Sequence, residues 1–473
     1  MNMLIRNILL GLILFAGLCG CSPSAKQASP LVPPPCANHV GPKNVIIFIA
    51  DGCGYNHVKA ADFYQCGKVP CQQYEDLPAG AQAKTEASLS STALTKEEAK
   101  AGFPVRLAMT TYPRGGSYKP SRVWRHFNYV DKGATDSAAA ATAMTTGVKT
   151  YNAAIGVNVH KKPVLNLAER AEQLGKSTGV VTSVPFSHAT PAGFTAHNPH
   201  RDDYHGIARQ MIFDSNARVI MGCGNPDYDS SGSHTANPNY KYIDSSIWVV
   251  LKSGSAAGDD FPGRWKLIQT REEFQSLAKG ETPKRVFGVA QVFETLQQGR
   301  KGKAYEAPYI VPFTQTVPTL EEMTKAALNV LDDDPDGFFV MIEGGAVDWA
   351  AHNNQSGRLI EEMNDFNKSI EAVIHWVNTN SDWNNTIVIV TADHETGHLT
   401  GPGRNELVSN GPGKLPAMEW HSKNHTNSLV PFFAKGTGAE QFKKTVDGKD
   451  PVRGPYIDNT DIANTIFALW LAK

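Results

Sequence analysis

The sequence has almost no net charge and few cysteines, and each shortage argues against a class of protein. Forty-five lysines and arginines face 46 aspartates and glutamates, a formal net charge of −1 over 473 residues. Nucleic-acid-binding domains usually carry a basic face, so the near-neutral balance argues against a nucleic-acid partner. The seven cysteines include no Cys-x-x-Cys pair, which argues against a thiolate zinc site. What remains is the composition of an ordinary globular protein.

Long apolar runs are scarce, and the clearest lies at the N-terminus. Ile8–Gly20 follows Arg6 and is too short for a comfortable membrane span, which is the layout of a secretory signal. The run ends in Leu-Cys-Gly-Cys21, which resembles a bacterial lipobox and implies cleavage before Cys21 with lipid on its sulfur. The alternatives are an ordinary signal peptide or a simple anchor helix.

We therefore expect residues 1–20 to be a lipoprotein-type signal peptide and residues 21–42 to be a proline-rich tether. The chain is then exported and membrane-anchored, in the periplasm or at the cell surface. Export permits disulfides, and the sequence places Cys66 and Cys71 suitably for a local one.

Strand-length apolar runs alternate with helical patterns along the chain. This alternation predicts an α/β fold: a three-layer sandwich with a mainly parallel central sheet covered by helices on both faces. The predicted strands are Asn44–Ala50, Thr178–Ser183, Arg218–Met221, Gly337–Ile342, Thr386–Thr391 and Leu429–Ala434. The predicted helices are Val164–Leu174, Leu320–Leu331, Leu359–Val377 and Asp461–Leu471.

Two stretches interrupt the alternation. Residues 72–105 are polar and alanine-rich, and residues 225–265 are rich in glycine, serine, aspartate and asparagine. We interpret both as surface insertions into one domain of residues 43–473. We expect 225–315 to form a small subdomain without a chemical motif of its own.

Acidic residues and a histidine follow several predicted strands directly. Asp51 follows the first strand, Glu343 follows the fourth, and Asp393 and His394 follow the fifth. Ligand sites in open α/β sheets lie beyond the carboxyl ends of the strands, so we expect these side chains at one edge. A single aspartate there is more often a turn or cap residue, but three strand ends together favour a site.

Asp348 and His352 form a second candidate cluster. Their four-residue spacing puts both side chains on one face of a helix, and aspartate with histidine suits zinc. The alternative is a solvated helix face with a capping aspartate.

Asp136 and Ser137 precede the alanine-rich segment Ala138–Met144. If Asp136 caps a helix, Ser137 sits in its first turn, where unpaired N–H groups favour an anion. A serine in that position can act as a nucleophile toward a phosphoryl group. The alternative is an N-cap before an ordinary core helix.

These segments together resemble a known family. Thr135–Asn152 closely resembles the nucleophile region of alkaline phosphatases. Four further segments match in the family's order: Asp51-Gly52, Glu343–Asp348, Thr391–His394 and Asn424–Thr426. The resemblance runs from about residue 43 to the C-terminus and is weakest in the insertions.

The resemblance implies an alkaline phosphatase, which hydrolyses small phosphate monoesters to alcohol and inorganic phosphate through a phosphoserine intermediate. Ser137 would be the nucleophile, and Arg201 would clamp two phosphate oxygens. The implied metal ligands are Asp348, His352 and His425 for one Zn²⁺, Asp51, Asp393 and His394 for a second, and Asp51, Thr190 and Glu343 for one Mg²⁺. Family members are often homodimers.

His188 and Trp349 depart from the best-known bacterial pattern, which has aspartate and lysine there. Other members carry histidine at the first position, and a few carry tryptophan at the second. Both positions lie near the magnesium and the phosphate in the family, so magnesium affinity does not transfer and His188 can favour zinc in the third site. His398 and His421 match no ligand position, and we interpret them as surface or supporting residues.

Two other kinds of function compete with this interpretation, and the first is another enzyme of the same superfamily: a sulfatase, a phosphodiesterase or a phosphonate hydrolase. Sulfatases need cysteine or serine followed by x-Pro-x-Arg, whereas alanines follow Ser137; related diesterases commonly use threonine. A phosphate-binding lipoprotein without catalysis is a different class. The complete zinc ligand set argues against it, because binding phosphate requires no pair of metal ions.

Overall fold

The structure is a computed structural model that describes residues 41–75, 102–255 and 264–471. The predicted signal peptide, Cys21 and the tether up to residue 40 lie outside these ranges, as does most of the stretch 72–105. In the part of the chain that is described, no helix combines the length and apolar character needed to cross a bilayer.

Eleven of the fifteen described strands form one central sheet, in the order β14-β15-β2-β13-β8-β1-β7-β3-β4-β6-β5. β9 pairs with β12, and β10 pairs with β11, in two small antiparallel ladders. The strands are Asn44–Ile49 (β1), Val105–Thr110 (β2), Ser177–Pro185 (β3), Val219–Cys223 (β4), Lys266–Ile268 (β5), Val286–Val289 (β6), Phe338–Glu343 (β7), Thr386–Thr391 (β8), Glu395–Thr396 (β9), Leu399–Thr400 (β10), Glu419–Trp420 (β11), His425–Thr426 (β12), Val430–Gly436 (β13), Gly448–Asp450 (β14) and Gly454–Asp458 (β15).

The seven strands from β8 to β5 are mutually parallel, and β1 is the central strand of the whole eleven-stranded sheet. All six residues of β1 are buried, which is why Asn44–Ile49 reads as a continuous apolar run rather than an alternating one. β13 joins this set antiparallel to β8.

Helices connect the strands and pack against the sheet. The longest, α11, contacts α1, α9 and α10, and α9 also packs on β3 and β4. The helices are Tyr55–Cys66 (α1), Pro120–Val123 (α2), Ser137–Thr146 (α3), Leu167–Gln173 (α4), Ala189–Gly193 (α5), Tyr204–Arg209 (α6), Ser245–Lys252 (α7), Arg271–Leu277 (α8), Leu320–Leu331 (α9), Ala346–His352 (α10), Ser356–Asn380 (α11) and Asp461–Leu471 (α12).

The predicted fold class is confirmed, and one expectation about organisation needs correction. Residues 225–315 do not form a subdomain apart from the sheet, because β5 and β6 extend its edge beyond β4. These strands have three and four residues and lie between polar turns, so they are too short to stand out in the sequence. Cys66 and Cys71 form the expected disulfide.

Candidate active site

Three adjacent strands of the sheet, β8, β1 and β7, end at the same level. Ile49 at the end of β1 is in register with Glu343 of β7 and Thr391 of β8. Asp51 and Asp393 therefore both lie two residues beyond this level, on neighbouring strands. Glu343, Asp51 and Asp393 are fully buried, so the parallel register gathers three carboxylates at one place.

Asp51, Asp393 and His394 form the first candidate metal triad. Nε2 of His394 lies 3.1 Å from Oδ2 of Asp393 and 3.4 Å from Oδ1 of Asp51. The other carboxylate oxygen of Asp393 accepts hydrogen bonds from the backbone N–H of Gly52 and of His394, both near 3 Å. Backbone donors thus fix Asp393 and leave its second oxygen facing the triad.

Asp348, His352 and His425 form the second triad. Asp348 and His352 lie one turn apart on α10, as their spacing predicts, with Nε2 of His352 3.2 Å from Oδ2 of Asp348. His425 comes from β12, and its Nε2 lies 3.0 Å from Nε2 of His352 and 3.6 Å from Oδ1 of Asp348.

The three triad histidines share one arrangement. In each ring Nε2 faces the triad, while Nδ1 faces an oxygen: the Lys423 carbonyl for His352, the Thr135 carbonyl at 2.9 Å for His425, and the Thr396 hydroxyl at 3.2 Å for His394. A carbonyl can only accept, so Nδ1 of His352 and His425 carries a proton, and Nε2 is the nitrogen that can bind a metal. That is the tautomer a metal ligand needs.

Thr396 contacts both triads and was not singled out by the sequence. Its hydroxyl is 2.6 Å from Oδ1 of Asp348 and 3.2 Å from Nδ1 of His394. His57 supports it from behind, because Nε2 of His57 is 3.0 Å from the Thr396 carbonyl and Nδ1 accepts from Gly54 N–H. The only sequence signal for Thr396 is its place two residues after His394.

Oxygen atoms dominate the third predicted site. One carboxylate oxygen of Glu343 accepts from the Thr182 hydroxyl. Its other oxygen, both oxygens of Asp51 and the hydroxyl of Thr190 are buried without a hydrogen-bond partner in the described structure. Burial raises the pKa of Glu343 to about 7.

Ser137 is the first residue of α3, as the capping pattern predicts. Asp136 is the N-cap, and its Oδ1 accepts from Ala139 N–H at 3.0 Å. The Ser137 hydroxyl lies 3.3 Å from Nε2 of His394. The serine therefore stands both at a helix N-terminus, which favours anions, and beside the first triad.

Asp136 also holds Arg201. Its Oδ2 accepts from Nη1 of Arg201 at 3.1 Å and from Ala153 N–H at 2.9 Å, and Arg201 N–H donates to the Ala153 carbonyl. Nη2 of Arg201 lies 3.4 Å from Nε2 of His188. This second role of Asp136, beyond capping, was not anticipated from the sequence.

Seven of the predicted residues line one cavity of about 360 Å³, together with Asn353. It is lined by Ser137, His188, Arg201, Asp348, Trp349, His352, Asn353 and His425. The ring of Trp349 lies 5.7 Å from that of His188 between centroids. His398 and His421 lie outside the triads: Nδ1 of His398 is 2.9 Å from Asp131, and Nε2 of His421 is 2.7 Å from the Thr400 hydroxyl.

The charge balance of the site calls for cations. Four buried carboxylates, those of Asp51, Glu343, Asp348 and Asp393, lie around it. Burial and repulsion from Asp393, Asp348 and Glu343 raise the pKa of Asp51 well above its ordinary value. Buried carboxylates are costly unless a cation compensates them. The nitrogen–oxygen triads suit zinc, and the oxygen-only group suits magnesium.

Two nitrogen–oxygen ligand triads, one buried and one partly exposed, lie beside a capped serine beyond the carboxyl ends of a parallel sheet. This arrangement defines a metal-dependent α/β protein of the phosphatase type. The family model described as alkaline phosphatase matches residues 83–410, more than half of the sequence. The chain belongs to the alkaline phosphatase family.

Curated relatives are consistent with this family. The chain is 33% identical to alkaline phosphatase 4 of Bacillus subtilis (strain 168) over 68% of its own length and 59% of that protein. It is 28% identical to alkaline phosphatase H of Pseudomonas aeruginosa (strain UCBPP-PA14), over 67% of its length and 71% of that protein. The match thus spans about three fifths of the Bacillus relative.

Solved structures share the fold. The cold-active alkaline phosphatase of Shewanella sp. has a TM-score of 0.61 at 24% identity, covering 91% of this chain and all of that one. The enzyme of the Antarctic bacterium TAB5 has a TM-score of 0.59 at 23% identity, covering 92% of this chain and all of that one. Two TAB5 variants, in which a histidine is replaced by aspartate or glutamate, are described with magnesium bound in the M3 site.

Proposed function

We propose that this protein is an alkaline phosphatase that hydrolyses small phosphate monoesters through a phosphoserine intermediate. The observation that carries the proposal is the position of the Ser137 hydroxyl, 3.3 Å from a histidine of one triad, in a cavity that Asp348, His352 and His425 of the other triad also line. Family membership supports the same reaction class.

The two triads would each hold one Zn²⁺, and Asp51, Thr190 and Glu343 would hold one Mg²⁺. When bound, the metal ions neutralise the charge of the phosphoryl group and favour the ionised serine and the leaving alkoxide. The buried, unpaired oxygens of Asp51, Thr190 and Glu343 support the third site.

Ser137 is the nucleophile in this scheme. Its Oγ gives its proton to solvent and forms a bond to phosphorus, and the bond from phosphorus to the substrate's alcohol oxygen breaks as that oxygen takes up a proton from solvent. Water then loses a proton and attacks phosphorus, the bond to Ser137 breaks as Oγ takes up a proton, and inorganic phosphate leaves. The N–H groups at the start of α3 attract the anion in both steps.

Arg201 binds the phosphoryl oxygens. Its guanidinium lines the cavity with Ser137, and the ion pair with Asp136 fixes the direction in which it points. A fork of parallel N–H donors matches two phosphate oxygens. Asp136 caps the helix that begins with Ser137, and it also forms the ion pair with Arg201. One carboxylate therefore positions both the nucleophile and the arginine that binds phosphate.

His188 would adjust the third site. Histidine supplies a neutral nitrogen where an aspartate would add negative charge, which favours weak magnesium binding or zinc. Two TAB5 variants that carry an acid in place of a histidine are described with magnesium in the M3 site, which agrees with this expectation.

The direct test is turnover of three aryl esters by purified, metal-loaded protein: a phosphate monoester, a phosphate diester and a sulfate. We expect fast release from the monoester alone, and its loss on chelation. Preference for the sulfate or the diester would support a sulfatase or a phosphodiesterase instead. Binding of phosphate without turnover would support a non-catalytic lipoprotein. Elemental analysis should give about two zinc ions for each magnesium.

We further propose that the chain is exported and anchored through lipid on Cys21, a residue outside the described ranges. The support is the sequence pattern alone. Cys21→Ser should move the protein from the membrane fraction to the soluble fraction. Wild-type protein that is fully soluble with another mature N-terminus would contradict the anchor. Sedimentation of the soluble form would show whether it is a homodimer.

A further inference from the structure

A second cavity of about 580 Å³ lies in the protein and shares no lining residue with the proposed catalytic cavity. Its size is that of a typical small-molecule site. The start of α1, the segment around α2 and the turns near β10 and β15 supply its walls. We call it the arginine cavity, because Arg125, Arg404 and Arg453 all line it.

The three guanidinium groups are available for a ligand. Within residues 41–75, 102–255 and 264–471, none of them forms an ion pair with a carboxylate. Two are instead held against aromatic rings: Arg453 lies 4.1 Å from the ring centre of Tyr55, and Arg404 lies 4.2 Å from that of Phe127. Stacking on a ring fixes a guanidinium while its N–H donors stay free at the edge.

Acidic residues of the wall do not cancel this charge. Glu406 forms an ion pair with Lys59. Glu395 is buried, and its two carboxylate oxygens accept from the Thr426 hydroxyl and from Leu399 N–H. The cavity therefore keeps an excess of positive charge from its arginines.

Aromatic surface is also presented in a fixed orientation. Trp124 lines the cavity, and its indole N–H donates to both oxygens of Asp450, at 3.0 and 2.9 Å. The backbone N–H of Arg453 donates to the same carboxylate at 2.8 Å. Asp450 thus holds the Trp124 ring and the backbone of Arg453 next to each other. Trp124 remains 46% exposed, so its ring can contact a ligand.

We propose that the arginine cavity is a second binding site, specific for small aromatic anions in which a planar ring bears a phosphate-like group. The ring packs on Trp124, and the anion is bound by Arg404 and Arg453. A ligand without the ring would leave the aromatic surface uncovered, and a ligand without the anionic group would leave the arginines unpaired. Tight binding therefore requires both groups in one molecule.

The test is calorimetric titration of the metal-loaded protein with phenylphosphonate, an aromatic anion whose C–P bond a phosphatase does not cleave. We expect two binding events per chain in the wild type. Arg404→Ala/Arg453→Ala should lose one event or weaken it at least about tenfold, and Arg201→Ala should lose the other. Arg209→Ala, an exposed arginine outside both cavities, should keep both events.

Two further probes test the ligand class. Methylphosphonate lacks the ring, and phenol lacks the charge, so each should bind the arginine cavity at least about tenfold more weakly than phenylphosphonate. If the double variant does not fold, the single variants Arg404→Gln and Arg453→Gln replace it, with the same expected loss.

Three results would overturn the proposal. One is a double variant that keeps both binding events. The second is equal binding of methylphosphonate and phenylphosphonate, which would mean an anion site without aromatic specificity. The third is a change in oligomeric state with unchanged ligand binding, which would make this surface an interface between copies of the chain.

Discussion

The hydroxyl of Thr396 donates a hydrogen bond to Oδ1 of Asp348 across 2.6 Å. A hydroxyl has one proton, so its oxygen then accepts from Nδ1–H of His394, 3.2 Å away. Nε2 of His394 is left with its lone pair facing Asp51 and Asp393. One side chain therefore sets the tautomer of a ligand in one triad and the orientation of the carboxylate in the other.

Removal of this hydroxyl should weaken metal binding. We expect Thr396→Val to lower zinc affinity by about 10- to 100-fold, as losses of such supporting hydrogen bonds do, measured by competition with a chelator. Thr396→Ser keeps the hydroxyl and should retain near wild-type affinity. Equal zinc affinity in the valine and serine variants would show that Thr396 only fills space.

Loss of charge at Asp136 should loosen phosphate binding. Asparagine can still cap α3, but it cannot form the ion pair with Arg201. We expect Asp136→Asn to raise the inhibition constant of inorganic phosphate about five- to thirtyfold, a change of about 1–2 kcal/mol. Asp244→Asn, at the N-cap of α7, is the matched control and should leave it unchanged.

An acid at position 188 should strengthen magnesium binding. Nδ1 of His188 is buried without a partner in the described structure, and the ring lines the catalytic cavity. A carboxylate suits magnesium better than an imidazole, so His188→Asp should lower the magnesium dissociation constant and slow turnover. His188→Asn is the neutral control. The same magnesium dissociation constant in all three proteins would show that His188 does not affect the third site.

The stability of the fold should depend on pH through Asp62, far along α1 from the ligands. Burial and the nearby Glu75 carboxylate raise the pKa of Asp62 to about 8, above about 3.9 in the unfolded chain. The folded state therefore retains a proton that the unfolded state has lost, and this contribution to stability disappears as pH rises through about 8.

Asp62→Asn should remove this dependence, since an amide oxygen can still accept from Gln72 as Asp62 does at 2.8 Å. We expect the variant's stability advantage over the wild type to grow by about 2 kcal/mol between pH 6 and pH 8, measured by urea unfolding with the disulfide intact. Asp202→Asn, an exposed site, is the control. A constant difference across this range would contradict the raised pKa.

Much of the fold, and the proximity of the site residues, could be predicted because buried parallel strands appear in the sequence as apolar runs. β8, α9 and α12 have the predicted bounds, and β1 ends at Ile49, one residue before the predicted end. Ser137 begins α3 directly after its capping aspartate. The carboxyl ends of parallel strands lie at one edge of the sheet. The acidic residues that directly follow predicted strands could therefore be expected to lie close together.

Features that depend on distant partners could not be predicted. β5 has three residues, and only its pairing with β6 makes it a strand. Thr396 looks like any threonine until α10 brings Asp348 to its hydroxyl. The arginine cavity is built from segments about 400 residues apart in the chain, between Tyr55 and Arg453, so no local pattern marks it.

The central claim is that Ser137 takes up the phosphoryl group. The most direct measurement is acid quenching of the metal-loaded protein during hydrolysis of an aryl phosphate, followed by mass spectrometry of its peptides. The account predicts phosphate on Ser137 alone, and none in Ser137→Ala or after chelation. Phosphate on another residue, or wild-type turnover by Ser137→Ala, would contradict it.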